Sequence, residues 1–209
     1  MIESRAIANT FQFKSSLKYE AMKMSSKPEL PRKGSFIYDI IYVSEKKKAL
    51  DKFKFINNYL VTPLYRIGIL PLLGFSRIFL LLITIGRETG KKHISPLEYH
   101  RINNAIHIFS ARGKEADWFK NLQKNPEKVK VKLGFHSFKP KIEIIRSRKE
   151  RLEVIKWYVR NHPNAAKHIF GWNNKTDDPD SGILYPIIDL IQIIKLYKDD
   201  RSIMKVQKK

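Results

Sequence analysis

Between Ile67 and Gly86 the chain reads IGILPLLGFSRIFLLLITIG, with Arg77 as its only charge. A helix needs about 20 apolar residues to cross a bilayer, so the length is sufficient. Against a span, Pro71, Gly74 and Arg77 fall in the middle, where a proline breaks the helix and a charge costs most. Two shorter elements suit the composition better: an apolar helix end, then a buried strand over RIFLLLITI that is rich in β-branched residues and ends at Gly86. Membrane insertion or peripheral contact is the alternative reading.

The segments that follow offer that strand antiparallel neighbours. HISPLEYHRI predicts a second strand whose proline confines its first part to an edge or a bulge. Asn103-Asn104 predicts a tight turn, because asparagine tolerates the left-handed backbone that hairpins need. AIHIFSA is the third strand. A helix follows with Asp117 as N-cap and Trp118 and Leu122 on one face, ending at Asn125-Pro126. KVKVKLGF and FKPKIEIIR alternate and predict a last hairpin over Gly134. SRKERLEVIKWYVRNHP is then an amphipathic helix closed by Pro163, followed by an acidic loop over Thr176–Gly182 and an apolar segment, ILYPIIDLIQIIKLY. The expected class is α+β, mainly antiparallel β, a small barrel with flanking α-helices.

The expected organisation has four parts. Residues 1–35 are a polar, loosely attached extension. Residues 36–74 are an amphipathic to apolar helical segment, with Leu50, Phe53, Ile56, Tyr59 and Leu60 on one face, packing on the barrel or on a membrane surface. Residues 75–160 form the barrel, and residues 161–209 a pocket loop, an apolar helix and a basic tail. The N-terminal stretch has no basic region followed by an apolar core, so no signal peptide is expected.

With 41 Lys and Arg against 20 Asp and Glu, the net charge is +21. This implies an anionic partner (nucleic acid, an acidic membrane surface or a polyanionic ligand) unless the excess reflects a lysine-rich proteome. The lysines run from Lys46–Lys48 through Lys128–Lys132 to Lys205–Lys209 without forming one block. No cysteine is present, which excludes disulfides, thiolate catalysis and cysteine-ligated metal. The histidines at 93, 100, 107, 136, 162 and 168 form no HExxH motif or close carboxylate cluster, so no metal site is expected. Aromatic residues do not interleave with cations as a base-stacking sheet requires, which argues against nucleic acid.

Two stretches carry candidate chemistry. In GRETGKKHISP, Gly86 and Gly90 permit tight backbone, Thr89 offers a hydroxyl and Arg87 a planar fork. The turn is an anion nest or a solvated hairpin tip. It is not a nucleoside-triphosphate loop, since no Gly-Lys-Ser/Thr follows. In SARGKEADWFKNL, a strand end, Arg112 and Lys114 precede a helix N-terminus, and small residues at 110 and 111 would let a flat ring approach the backbone. The alternative is an ordinary strand-to-helix connection with Trp118 as a core anchor.

In order, LLLITIGRETGKKHISPLEY, IHIFSARGKEADWFKNLQKNPEKVKVKLG and KPKIEIIR resemble the deazaflavin-dependent nitroreductase family, split β-barrel proteins that use coenzyme F420. The resemblance covers about residues 57–160. It implies that Arg87, Glu88 and Thr89, with Lys91, meet the cofactor's phosphate and glutamate tail. His93, Ile94, Ser95, Pro96 and Leu97 would lie along the deazaflavin and its ribityl chain. Ser110, Ala111 and Arg112 would form the second cofactor strand end, and Trp118 and Asn121 the helix closing the site. The implied activity is hydride transfer from reduced F420 to an apolar acceptor: a quinone, enone, imine or nitro compound. FMN is the alternative cofactor, and a non-catalytic binder of cofactor or membrane the alternative function. His162 and His168 are the candidate proton donors. The family's substrate-pocket tyrosines after the last strand have no match, since no tyrosine lies between His162 and Trp172. The C-terminal apolar segment falls outside the resemblance and is expected, with the N-terminal helix, to contact membrane or mediate a homodimer. The expected location is the cytoplasm, with or without peripheral membrane contact.

Overall fold

The structure, a computed structural model, describes residues 30–42, 63–64 and 77–198. Helix α1 spans Phe36–Tyr42, and strands β1, β2 and β3 span Phe79–Ile85, Lys92–Ile102 and Ala105–Ser110. A 3-10 turn at Gly113–Glu115 leads into helix α2, Asp117–Lys124. Strands β4, β5 and β6 (Lys130–Leu133, His136–Phe138, Pro140–Ile144) follow. Helices α3, α4 and α5 (Arg148–Asn161, Pro163–Phe170, Tyr185–Leu190) come next, and strand β7, Gln192–Lys198, is the last element. The helical face expected over 50–60 and the first half of the Ile67–Gly86 run, 67–76, lie outside the described residues.

All seven strands join one antiparallel sheet in the order β5-β4-β1-β2-β3-β7-β6. Its two edge strands, β5 and β6, are separated in sequence by Lys139 alone. One residue spans at most about 7 Å between its neighbours' Cα atoms, so the sheet must curl until its edges meet. Covalent continuity through Lys139 therefore closes the barrel where no strand ladder does. The sheet divides at β2, whose first half pairs with β1 (Ile85↔Lys92 to Phe79↔Glu98) and whose last residues pair with β3 (Tyr99↔Ile108 to Ile102↔Ala105). This is a split β-barrel with flanking helices, as expected.

Pro96 sits opposite Leu81, in the half of β2 that has no β3 partner. The missing N–H therefore costs no ladder bond on that side, which is how a proline enters a strand. Asn103 makes the expected turn with φ of 53°.

Alternation divides the apolar side chains between two cores. Leu80 and Leu82 of β1, Ile106 and Ile108 of β3, Val131 of β4 and Ile194 and Leu196 of β7 fill the barrel, sealed by Phe119 and Leu122 of α2. On the other face, Phe109 and Ile193 meet Ile155, Tyr158 and Val159 of α3, Phe170 of α4, and Ile187 and Ile188 of α5. Ser147 caps α3, accepting from Glu150 N–H, and Pro163 opens α4. Among the described residues no helix is long and apolar enough to cross a membrane.

Three expectations change. The hairpin over Gly134 is short: only His136–Phe138 returns along β4, and from Pro140 the chain crosses to the far edge and pairs with β7. The segment ILYPIIDLIQIIKLY is not one helix outside the barrel. Its first part is α5 and its second is β7, an interior strand between β3 and β6. Ile193 and Ile194 are both 0% exposed, so β7 offers no free apolar face to a membrane or a second copy. Residues 30–35 are docked as well: Leu30 is buried in the second core, and the Arg32 guanidinium grips the Asp177 carboxylate at 2.7 and 2.8 Å and donates to Gly171 O at 2.7 Å. Burial pushes the Asp177 carboxyl up, but Arg32 and the Asn173 N–H more than offset it, so it lies below the usual range.

Gly113 ties the barrel to α5. It has φ of +57°, and a Cβ there would lie 2.3 Å from Leu190 O. Gly90 has φ of +65° with nothing within 4 Å. Gly90→Ala should therefore cost about 1–2 kcal/mol, the backbone term alone. Gly113→Ala should cost clearly more, because backbone must move as well; chemical denaturation of the two variants checks the order.

Candidate functional site

The loop joining β1 to β2 is a compact turn in which Gly86 N–H donates to Lys91 O at 2.8 Å and Gly90 N–H to Gly86 O at 3.0 Å. Arg87 N–H donates to Asn121 Oδ1 at 3.1 Å and Lys91 N–H to Thr89 Oγ1 at 3.3 Å. With these donors satisfied within the protein, the expected nest of backbone N–H groups is not formed by them, and anion affinity here falls to the side chains. Gly86 is crowded by side chains: a Cβ would lie 2.6 Å from Thr89 Oγ1 and 2.9 Å from His93 Nε2, so both would have to shift to admit one.

Helix α2 clamps this turn. Asn121, 5% exposed, also accepts from Arg87 Nη1 at 3.2 Å, and Asn125, one helical turn later, donates to Ile85 O at 3.4 Å. Asp117 is not the N-cap; that position is Ala116, and no side chain caps the helix. Its carboxylate instead accepts from the Arg87 guanidinium at 3.3 and 3.4 Å, while Glu88 lies 3.4 Å from Arg87 Nε. Arg87 is thus presented by Asn121 and partly neutralised by two exposed acids.

Between the turn, the start of β2 and α2 lies a groove of about 410 Å³. Arg87, Glu88, Thr89, His93, Ile94, Ser95, Trp118 and Asn121 line it, together with Gly86 and Asp117. Register explains the β2 contribution: Ser95 and His93 stand opposite Leu82 and Thr84, extending the barrel's interior row beyond its apolar filling. Trp118 packs half-buried against the barrel core and also forms a groove wall, so both readings of it hold in part.

The other expected residues stand elsewhere. Lys91 is exposed on the turn, Pro96 pairs with Leu81, and Leu97 packs on the barrel core. Ser110 is 1% exposed and spends its hydroxyl on Gly113 O at 2.7 Å. Ala111 packs against the second core, and Arg112 precedes the 3-10 turn. None of these lines the groove. His162 lines a cavity with His100 and Trp157, and His168 one with Arg32 and Trp172, so neither candidate proton donor reaches the groove lining. Asp117 was not anticipated as a groove residue; the acidic residue three positions before Lys120 read as a helix cap. Among the described residues no group of His, Cys, Asp and Glu is placed to hold a metal.

The sequence model of the F420H(2)-dependent quinone reductase family matches residues 72–171, which contain the whole groove. The matched stretch, just under half of the chain, is similar to that family. The F420H(2)-dependent family identifies an enzyme, a reductase, and coenzyme F420 as its cofactor. Among solved structures, the chain is similar to the F420-H2 dependent reductase FDR-A, at 23% identity over 57% of this chain and 94% of that one, TM-score 0.39. It is also similar to a NimC/NimA family protein from Clostridium acetobutylicum (17%, 65% and 82%, TM-score 0.36) and to Campylobacter jejuni ChuZ (10%, 64% and 54%, TM-score 0.40). With TM-scores this low these likenesses carry no part of the functional reading. Among curated proteins no match was found.

The chain has two imidazoles outside the groove whose protonation bears on folding. Burial lowers the His107 pKa below its ordinary 6.5, and burial followed by the neighbouring His100 lowers that of His162. Unfolding below pH 6.5 lets both take up protons that the folded state refuses. Stability should be full above about pH 6.5 and decline as pH falls through the depressed folded values. His107→Gln and His162→Gln should each flatten that slope in thermal melts between pH 8 and 5.

Proposed function

We propose that the groove at the Gly86 turn holds coenzyme F420 and that the protein reduces an apolar acceptor of the quinone class. The observation that carries this reading is the convergence of Arg87, His93, Ser95, Trp118 and Asn121 on one groove within the segment matched to the family. The donor set fits the cofactor. Arg87 offers a fork to phosphate or carboxylate, and Lys91 and Lys92 lie exposed beside it for the rest of an anionic tail. Ser95 and His93 supply polar contacts along β2, and Trp118 a flat apolar wall.

When bound, the reduced deazaflavin supplies a hydride from a ring carbon. The chain's part is to position, to exclude water and to manage charge. Asn121 fixes Arg87, and the turn's closed hydrogen bonds keep that guanidinium in place without a ligand. Reducing a quinone to a hydroquinone takes one hydride and one proton. His93, the imidazole in the groove lining, or solvent is the proton source, in place of His162 and His168. The absence of cysteine agrees with a reducing, cytoplasmic setting.

Arg87→Ala should weaken F420 binding about 10- to 100-fold, the loss of a charge-assisted contact of roughly 1.5–3 kcal/mol. Asp117→Asn releases the same guanidinium from an exposed ion pair and should tighten F420 binding a few-fold, on the order of 0.5–1 kcal/mol. Quenching of F420 fluorescence measures both, with FMN titrated in parallel. Unchanged affinity in Arg87→Ala, or tight FMN binding without F420 binding, would remove the reading. Reoxidation of reduced F420 by 2-methyl-1,4-naphthoquinone, compared with an enone and a nitroarene, tests the acceptor; turnover on the quinone should be fastest.

A further inference from the structure

The opposite end of the β1–β2 hairpin holds a second cavity, of about 690 Å³. It opens beside Arg77 and the Tyr99–Arg101 stretch, about 20 Å along β1 from the Gly86 turn. Its volume is that of a small-molecule site. Three of its lining groups, Arg77, Arg101 and His136, are exposed cations or potential cations, and among the described residues no Asp or Glu lines it. Arg101 stands 6.0 Å over the Tyr99 ring and carries its charge to the rim.

The inner wall is built from rings. His100 lies 4.5 Å from His162, centroid to centroid, and Trp157 5.4 Å from His162. His100 is 6% exposed, and its Nε2 makes no hydrogen bond, although the Glu98 carboxylate lies 3.3 Å away. A buried imidazole nitrogen without a hydrogen bond costs stability unless a ligand or water completes it. Phe135, 65% exposed at the β4–β5 turn, places a further apolar ring at the mouth.

From this combination we infer that the cavity is a second ligand site, taking a planar aromatic carboxylate. The acid group sits on the Arg77 and Arg101 guanidiniums, which match a carboxylate in geometry, and the ring lies against the His162–Trp157 wall. Neither half suffices alone: the arginines are too exposed to hold a bare anion in salt, and the ring wall is too small to hold a neutral aromatic firmly. The inference is independent of the F420 groove, which lies at the other barrel end.

The probe is 2-naphthoate, titrated into the full chain by calorimetry and by quenching of tryptophan fluorescence, with 2-methoxynaphthalene and inorganic phosphate as ring-only and charge-only controls. The expected result is saturable one-to-one binding, weakened about tenfold or more in Arg77→Gln/Arg101→Gln, with both controls weaker by a similar factor. Arg101→Gln alone, a surface change that leaves packing intact, should give an intermediate loss, and Arg87→Ala none. Absence of saturable binding, equal affinity in the double variant, or loss in Arg87→Ala would each overturn the inference.

Discussion

Lys139 is a single residue between the two edge strands of a seven-stranded sheet, and the rest of the architecture follows from that shortness. A sheet whose edges are tied this closely must roll. Once rolled, its inward side chains have to fill a closed volume, so Leu80, Leu82, Ile108, Val131, Ile194 and Leu196 become an interior. The outward side chains of β3 and β7 then need a separate cover, which α3, α4 and α5 supply. The barrel's open ends are the places left for chemistry, where turns and strand ends bring polar groups together without breaking a ladder.

At one end the interior row runs out of apolar residues and continues as Ser95 and His93, and α2 is stitched across by Asn121 and Asn125. These two asparagines, one inside the helix and one at its C-cap, convert a hairpin tip into a fixed wall. The arrangement also shows why a basic turn is not automatically an anion site. Its backbone donors are largely spent on itself, and Arg87 is shared with Asp117 and Glu88, so affinity must come from displacing weak, exposed ion pairs.

The parts of the fold legible in the sequence were those fixed by local chemistry. β1 ended at Gly86, Asn103 took the left-handed turn, Pro96 entered β2 where no β3 partner requires its N–H, and α3 began after Ser147. The misread parts depend on partners distant in sequence. β7 is buried on both faces, so QIIKLY shows little alternation, and a short apolar run of that kind does not distinguish strand from helix. β6 left its expected hairpin because β7, some fifty residues later, offers five paired positions. In the groove, Arg87, His93, Ser95, Trp118 and Asn121 were legible through their order along the chain. Asp117 was not, because an acid at a helix start has the same local signature as a cap whether it meets its own backbone or an arginine thirty residues away.

The central claim is that the groove between the Gly86 turn and α2 receives the cofactor. Backbone amide and indole resonances followed during a titration with coenzyme F420 test it most directly. The account predicts the largest shifts at Arg87, Thr89, His93, Ser95 and Asn121 and at the Trp118 indole, with the Arg77–Ile78 and Phe135–His136 amides at the other barrel end unmoved. Shifts concentrated at that other end, with the Gly86 turn silent, would contradict it.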